Sequence, residues 1–80
     1  MKVRLIIMLK QGVLDPQGKA INHALHNLSF QEVQDVRVGR VIDLEVTETS
    51  PEKAKARATE MAQQLLANGV IEDFQVEVLA

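Results

Sequence analysis

Apolar and polar residues alternate through residues 2–10, which is the period of a β-strand. Four aliphatic side chains share one face of this strand: Val3, Leu5, Ile7 and Leu9. The opposite face begins with charged residues and becomes apolar at Ile6 and Met8. A strand that is apolar on both faces needs cover on both sides, so we expect Ile6 and Met8 to take part in self-association. The alternative is that both are ordinary exposed apolar residues.

Two segments have the period of an amphipathic helix, and each begins with a cap residue followed by proline. Asp15-Pro16 opens the first and Ser50-Pro51 opens the second. Asp and Ser accept hydrogen bonds from free amides at a helix start, and Pro fits the first helical position. The apolar stripe of the first helix is Ile21, Ala24, Leu25 and Leu28, and that of the second is Ala54, Ala58, Met61, Ala62 and Leu65. We expect the second helix to end at Asn68-Gly69, with Gly69 in the left-handed conformation.

Residues 33–46 are rich in β-branched side chains and are divided by Gly39-Arg40. Two interpretations fit this alternation. One is a hairpin with a loop at residues 39–41, which places Arg37 opposite Asp43; the other is a single long strand with a bulge at Gly39. The pattern favours the hairpin. Residues 72–79 alternate again and form the last predicted strand.

The predicted order is β-α-β-β-α-β in a single domain over residues 1–80. Right-handed connections that place both helices on one face of an antiparallel sheet give a ferredoxin-like two-layer sandwich of the α+β class. The other sheet face is then bare. We therefore expect another subunit to cover it, in a homodimer or a tetramer.

Composition narrows the possible functions. The 9 Lys and Arg against 11 Asp and Glu give a net charge of −2, without the basic cluster that nucleic-acid binding needs. Cys is absent, which removes thiol nucleophiles, disulfides and thiolate metal sites. The longest apolar run, from Leu5 to Leu9, is far below the roughly 20 residues that span a bilayer, and no signal-peptide pattern precedes it. We expect a cytoplasmic protein that binds neither nucleic acid nor membrane.

Few residues are candidates for catalysis or ligand binding. His23 and His26 lie three apart on a predicted helix, but no third metal ligand is near, which favours surface histidines. Asp43 and Glu45 share one strand face, where solvent exposure is the favoured explanation. Residues 15–19 offer helix-start amides and a lysine to an anion, although a plain N-cap is favoured. We therefore expect no catalytic residue, cofactor or metal in this chain.

Three motifs, in order along the chain, resemble the PurS family, the small subunit of phosphoribosylformylglycinamidine synthase. They are VLDPQGKA at residues 13–20, VRVGR at residues 36–40 with IDL following, and LLANGVIED at residues 65–73. The resemblance covers the chain from end to end. It implies a non-catalytic subunit of an ATP-dependent ligase of purine biosynthesis. In that enzyme a glutaminase subunit releases ammonia, and a large synthetase subunit, which holds ATP and Mg, uses it.

The resemblance also implies that this chain joins the glutaminase and synthetase subunits and assists ammonia transfer. We expect the motif residues to face these partners: Asp15, Gln17, Gly18, Lys19, Arg37, Gly39 and Arg40. Ordinary capping and turn chemistry is the alternative explanation for them. Two positions depart from the family pattern, because Gly69 stands where proline is common and Arg40 where lysine is common. A ferredoxin-like regulatory domain that binds a small metabolite at a dimer interface is the alternative function.

Overall fold

The computed structural model describes residues 1–79, in which strands and helices alternate along the chain. The elements are β1 (Lys2–Leu9), α1 (Pro16–Asn27), β2 (Gly39–Glu45), α2 (Pro51–Met61) and β3 (Glu72–Val78). A π-helical turn at Ala62–Leu66 continues α2. The predicted α+β class is confirmed. Within residues 1–79, the helices lack the length and apolar character of a membrane span.

The three strands form an antiparallel sheet with β1 in the centre, in the order β2-β1-β3. Val3 pairs with Leu44, while Leu5 pairs with Ile42 on one side and with Val76 on the other. Directly paired residues point to the same face of a sheet. The alternating aliphatic residues of the three strands therefore form one continuous apolar face.

α2 covers this apolar face through its smallest side chains. Ala54, Ala58 and Ala62 are fully buried against the sheet, where Val3 and Leu5 are also fully buried. Alanine lets a helix backbone approach a sheet closely because it carries only a methyl group. The fully or almost fully buried apolar residues of the described chain are thus few: Val3, Leu5, Ile7, Ala54, Ala58 and Ala62.

Neither predicted form of residues 33–46 occurs. Residues 33–38 form no strand, and β2 begins at Gly39 and pairs with β1 along its whole length. Arg37 donates from Nη2 to the Leu9 carbonyl oxygen at 3.1 Å, whereas Asp43 accepts from Nε of Arg4 at 2.8 Å. The hairpin is therefore wrong, because the Arg37 side chain bonds to the end of β1 and the Val38 N–H bonds to Asp15 at the start of α1 instead.

The predicted apolar stripe of the second helix is confirmed as far as Ala62 but is wrong at Leu65. A π-helical turn contains more residues than an α-helical turn, so it moves Leu66 towards the core and leaves Leu65 82 % exposed. The chain then becomes extended at Ala67, with φ −124° and ψ 144°. Gly69 is not left-handed as expected, since Gly12 is the glycine with positive φ within residues 1–79.

α1 projects away from the sheet. It makes no substantial contact with any other helix or strand of the described chain, and Ile21 and Leu28 of its predicted apolar stripe are 43 % and 68 % exposed. The radius of gyration is 16.0 Å, against about 12 Å for a compact domain of this length. We name α1 together with residues 28–38 the arm, and the sheet with α2 the body. The sandwich layer over the sheet is formed by α2 alone within one chain.

We expect enlargement of the buried alanine stripe to destabilise the body. Ala58→Leu forces a larger side chain between α2 and β1 and should lower the free energy of unfolding by about 1–3 kcal/mol. Ala56→Leu on the exposed side of the same helix is the matched control and should change it by less than about 0.5 kcal/mol. Urea denaturation of both variants measures the difference. Equal stability of the two would contradict the close approach of α2 to the sheet.

Candidate functional site

Most of the predicted site residues gather around one buried carboxylate, that of Asp15, which is only 7 % exposed. Asp15 is the N-cap of α1, and its Oδ1 accepts from the Gly18 N–H at 2.9 Å. Its Oδ2 accepts from the Val38 N–H at 2.8 Å. A single carboxylate therefore joins the first turn of α1 to the segment that enters β2.

Arg37 links the Asp15 carboxylate to the end of β1. Its Nε lies 3.9 Å from Oδ2 of Asp15, and its Nη2 donates to the carbonyl oxygens of Leu9 and Lys10 at 3.1 and 3.2 Å. The guanidinium thus compensates the buried negative charge and satisfies two carbonyl groups just where β1 stops. We name the group formed by Asp15, Gly18 and residues 36–38 the Asp15 cluster.

Glycine is required at positions 18 and 39 because other parts of the chain come very close to the backbone there. A Cβ atom at Gly18 would overlap the carbonyl oxygen of Val36 and would also press on the Asp15 carboxylate. A Cβ atom at Gly39 would overlap Sδ of Met8 and the carbonyl oxygen of Ile7. Both predicted glycines therefore serve local packing.

The hydrogen bonds of the cluster also set the ionisation of Asp15. The Val38 N–H, and after it the Gly18 N–H, lower the pKa of Asp15 below its ordinary value, and the charge of Arg37 acts in the same direction. Burial opposes this effect but does not outweigh it. Asp15 is therefore ionised at neutral pH, as its role as acceptor requires.

A second ion pair, between Arg40 and Glu72, joins the start of β2 to the start of β3. Nη2 of Arg40 donates to Oε1 of Glu72 at 3.0 Å and to the Leu66 carbonyl oxygen at 2.7 Å. The same Oε1 accepts from the Asn68 N–H at 2.7 Å. The bond from Arg40, and then that from Asn68, lower the pKa of Glu72. Sequence reasoning did not select Glu72 or Asn68, although both lie within the third motif.

The predicted partner-facing residues divide into buried and exposed groups. Asp15 and Gly18 are buried and Arg37 is half-buried, whereas Gln17, Lys19, Gly39 and Arg40 are exposed. A shallow cleft of about 320 Å³ lies between the start of α1 and the start of β2. Its polar lining includes Gln17, Arg40 and Glu72. Of the exposed motif residues, Gln17, Gly39 and Arg40 therefore line this cleft, whereas Lys19 lines a neighbouring depression.

The predicted self-association residues lie elsewhere, on the sheet face opposite α2. Ile6 and Met8 are half-buried there, and Val41 beside Ile6 is 59 % exposed. Salt bridges border this patch on both neighbouring strands: Arg4 with Asp43 at 2.8 Å, and Lys10 with Asp73 at 2.7 Å. We name Ile6, Met8 and Val41 the outer patch.

The two histidines do not behave alike. His23 is exposed, but Nε2 of His26 lies 2.6 Å from the Val33 carbonyl oxygen and its own carbonyl oxygen accepts from Nε2 of Gln31 at 2.7 Å. His26 is thus not the free surface residue that was expected, because it fastens residues 31–33 to α1. No group of three or more potential metal ligands is found within residues 1–79.

Comparisons with known proteins point to a single family. The model of the family PurS, Phosphoribosylformylglycinamidine (FGAM) synthase, matches residues 2–80. The phosphoribosylformylglycinamidine synthase subunit PurS of Bacillus subtilis is 48 % identical over 96 % of this chain and 90 % of its own length. The subunit of the same name from Methanocaldococcus jannaschii is 42 % identical, covering 96 % of this chain and 93 % of its own.

Solved structures are similar over nearly the whole chain. A crystal structure of B. subtilis PurS has a TM-score of 0.85 at 47 % identity, covering 99 % of this chain and 98 % of that one. A chain in the structure of PurLQS from Thermotoga maritima has a TM-score of 0.88 at 31 % identity, covering 98 % of this chain and 95 % of that one. Fold and sequence therefore lead to the same family.

We expect Gly18→Ala to weaken the junction between α1 and residues 36–38. The added methyl group must push the Val36 carbonyl away, which should lower the free energy of unfolding by about 1–3 kcal/mol. Gly69→Ala is the matched control, since a Cβ atom there meets nothing within 4 Å and the backbone is not left-handed. That control should be neutral or slightly stabilising. Denaturation curves in which both variants lose the same stability would contradict the close approach at Gly18.

The lowered pKa of Asp15 predicts a pH dependence of stability. The stabilisation by the ionised carboxylate is complete above its unfolded pKa of about 4 and is lost as pH falls through the lower folded pKa. Asp15→Asn should be less stable than the parent at pH 7 and should lose less stability between about pH 5 and pH 3. Urea denaturation across this range measures both effects. Parallel pH profiles for parent and variant would show that the carboxylate is not held in its ionised form.

Proposed function

The chain belongs to the PurS family, and from this premise we propose that it is a non-catalytic assembly subunit of phosphoribosylformylglycinamidine synthase in purine biosynthesis. It holds the glutaminase and synthetase subunits together while ammonia passes between them. ATP and Mg belong to the synthetase subunit, and the complex works in the cytoplasm. The similarity to a chain of the PurLQS structure carries this proposal. A metabolite-binding regulatory domain is not favoured by any of the comparisons.

The Asp15 cluster indicates that some motif residues fix the local structure while others contact the partner subunit. Asp15 and Gly18 are buried, and Arg37 is occupied by backbone carbonyl groups. These residues act by fixing the shape of the surface, and Gly39 acts likewise by allowing β2 to approach β1. The exposed side chains of Gln17 and Arg40 then face the partner subunit across the cleft that they border. The exposed Lys19 faces it from a neighbouring depression that Asp15 and Arg37 also line. The first two motifs are therefore one structural unit with a positioning part and a contacting part.

The outer patch supports self-association of the chain. Ile6, Met8 and Val41 form an apolar area on a sheet face without a helix, and polar pairs surround it. Apolar centres with polar rims are typical of protein interfaces. We propose that another copy of the chain covers this sheet face through the outer patch, in a homodimer or tetramer.

Omission of the chain from a reconstituted synthase tests the assembly function. Formation of the amidine from glutamine should fall at least about tenfold without the chain, because ammonia must then travel through solvent between separate subunits. Formation from a high concentration of ammonium should change little, since the synthetase subunit carries the chemistry. An unchanged glutamine-dependent rate would overturn the proposal, and so would equal loss of both rates.

A charge reversal tests the contacting part of the site. Lys19→Glu should weaken binding to the partner subunits several-fold, because a charge at an interface rim chiefly affects association. Lys53→Glu is the matched control, as an exposed lysine on α2 that lines neither the cleft nor the depression beside Lys19. Binding of each variant to the two subunits is measured by surface plasmon resonance. Equal effects at positions 19 and 53 would place the interface elsewhere.

A further inference from the structure

We propose that residues 67–71, which we name the Asn68 loop, insert the side chain of Val70 into an apolar recess on one partner subunit of the synthase. This contact rests on the proposed function and gives the third motif a role in it. The recess takes one aliphatic side chain and has hydrogen-bonding groups at its border, because polar side chains of the cleft flank the loop.

The tip of the Asn68 loop carries a strongly exposed aliphatic side chain. Val70 is 82 % exposed, and Ile71 beside it is 38 % exposed. Single exposed apolar residues are common on protein surfaces, so exposure alone does not indicate an interface. The hydrogen bonds that hold this tip in place are the second observation.

Asn68 fixes the backbone that carries Val70. Its Oδ1 accepts from the Val70 N–H at 3.0 Å, and its carbonyl oxygen accepts from the N–H groups of Ile71 and Glu72 at 3.2 and 2.7 Å. The backbone on both sides of the exposed side chain is thus bound to one residue. Because the loop is already ordered, Val70 loses little conformational entropy when it enters a recess.

The Asn68 loop is also anchored to the sheet. At the end of β1, the Lys10 N–H donates to the Ile71 carbonyl oxygen at 2.8 Å. At the start of β3, Oε1 of Glu72 accepts from the Asn68 N–H at 2.7 Å and from Nη2 of Arg40 at 3.0 Å. The loop is therefore held in a fixed position relative to the cleft.

Continuity with the cleft identifies the occupant as a partner subunit. Arg40 and Glu72 line the cleft and also brace the loop, so the loop borders the surface that the proposed function assigns to the partner. An apolar side chain beside hydrogen-bonding groups is the usual composition of a protein interface. A subunit bound at the cleft therefore meets Val70 at its edge.

Replacement of Val70 by a charged residue tests the insertion. Val70→Glu should weaken binding to one of the two subunits at least about tenfold, because it puts a charge into an apolar recess. Binding to the other subunit should not change, since a single side chain enters a single recess. Gln63→Glu, which adds the same charge at an exposed position outside the loop, and Val70→Ile, which keeps the apolar chemistry, should both bind as the parent does. Surface plasmon resonance with each subunit gives the Kd, and sedimentation gives the mass of each variant.

Replacement of Asn68 tests the bracing. Asn68→Ala should weaken binding to the same subunit several-fold and speed amide hydrogen exchange at Val70, because the acceptor of that amide is lost. Asn68→Asp keeps an Oδ1 acceptor and should leave both quantities near the parent values. The exchange rate separates a loosened loop from an unfolded chain, since only the loop amides should respond.

The outcomes that overturn this contact differ from those that overturn the proposed function. Parent-like binding of Val70→Glu to both subunits, loss of binding to both, equal effects of Gln63→Glu, or a smaller mass of Val70→Glu than of the parent would each overturn it. The same is true if Asn68→Ala exchanges no faster than the parent or binds as tightly. If omission of the whole chain still lowers the glutamine-dependent rate, these results reject the loop contact alone. An unchanged rate on omission rejects the proposed function itself.

Discussion

The carboxylate of Asp15 is the interaction on which the shape of this chain depends. This carboxylate bonds both to the first turn of α1 and to the backbone entering β2, and through Arg37 it is linked to the end of β1. Because Asp15 is buried and its charge is compensated by two amide donors and a guanidinium, these bonds are stronger than ordinary surface ion pairs. Three elements that are far apart along the sequence therefore meet in a fixed relation, and that relation turns α1 away from the sheet.

The consequence is a protein with little core of its own. The buried core of the body consists of three aliphatic side chains of β1 and three alanines, which lie on α2 and on the π-helical turn that continues it. The aliphatic stripe of α1 does not contribute to this core within one chain. Small domains of this kind commonly gain stability by association. The same features suit a subunit that acts by binding to other proteins: apolar residues remain on the arm, beside α2 and on the outer sheet face, and exposed polar side chains surround the cleft at the start of α1.

Sequence patterns predicted the local elements well because they depend on neighbouring residues. The alternation in β1 and β3, the Asp15-Pro16 and Ser50-Pro51 helix starts, and the alanine stripe are all present. The predicted cap bond forms at Asp15 but not at Ser50, whose side chain makes no capping hydrogen bond. The errors lie where distant groups decide. Residues 33–38 alternate like a strand, but Asp15 takes the amide of Val38. The π-helical turn, which shifts the stripe from Leu65 to Leu66, has no signature in the apolar period. The direction of α1 depends on the Asp15–Arg37 pair, which residue spacing cannot reveal; family motifs marked both residues, but not what they bind.

If this chain acts by stoichiometric association with the other subunits of the synthase, its amount must limit the coupled reaction. A titration of the chain at fixed concentrations of the glutaminase and synthetase subunits measures this, with glutamine-dependent amidine formation as the rate. We expect the rate to rise in proportion to the added chain and to reach a plateau at a fixed ratio of subunits. A rate that does not depend on the chain, or that saturates at a small fraction of the other subunits, would contradict it.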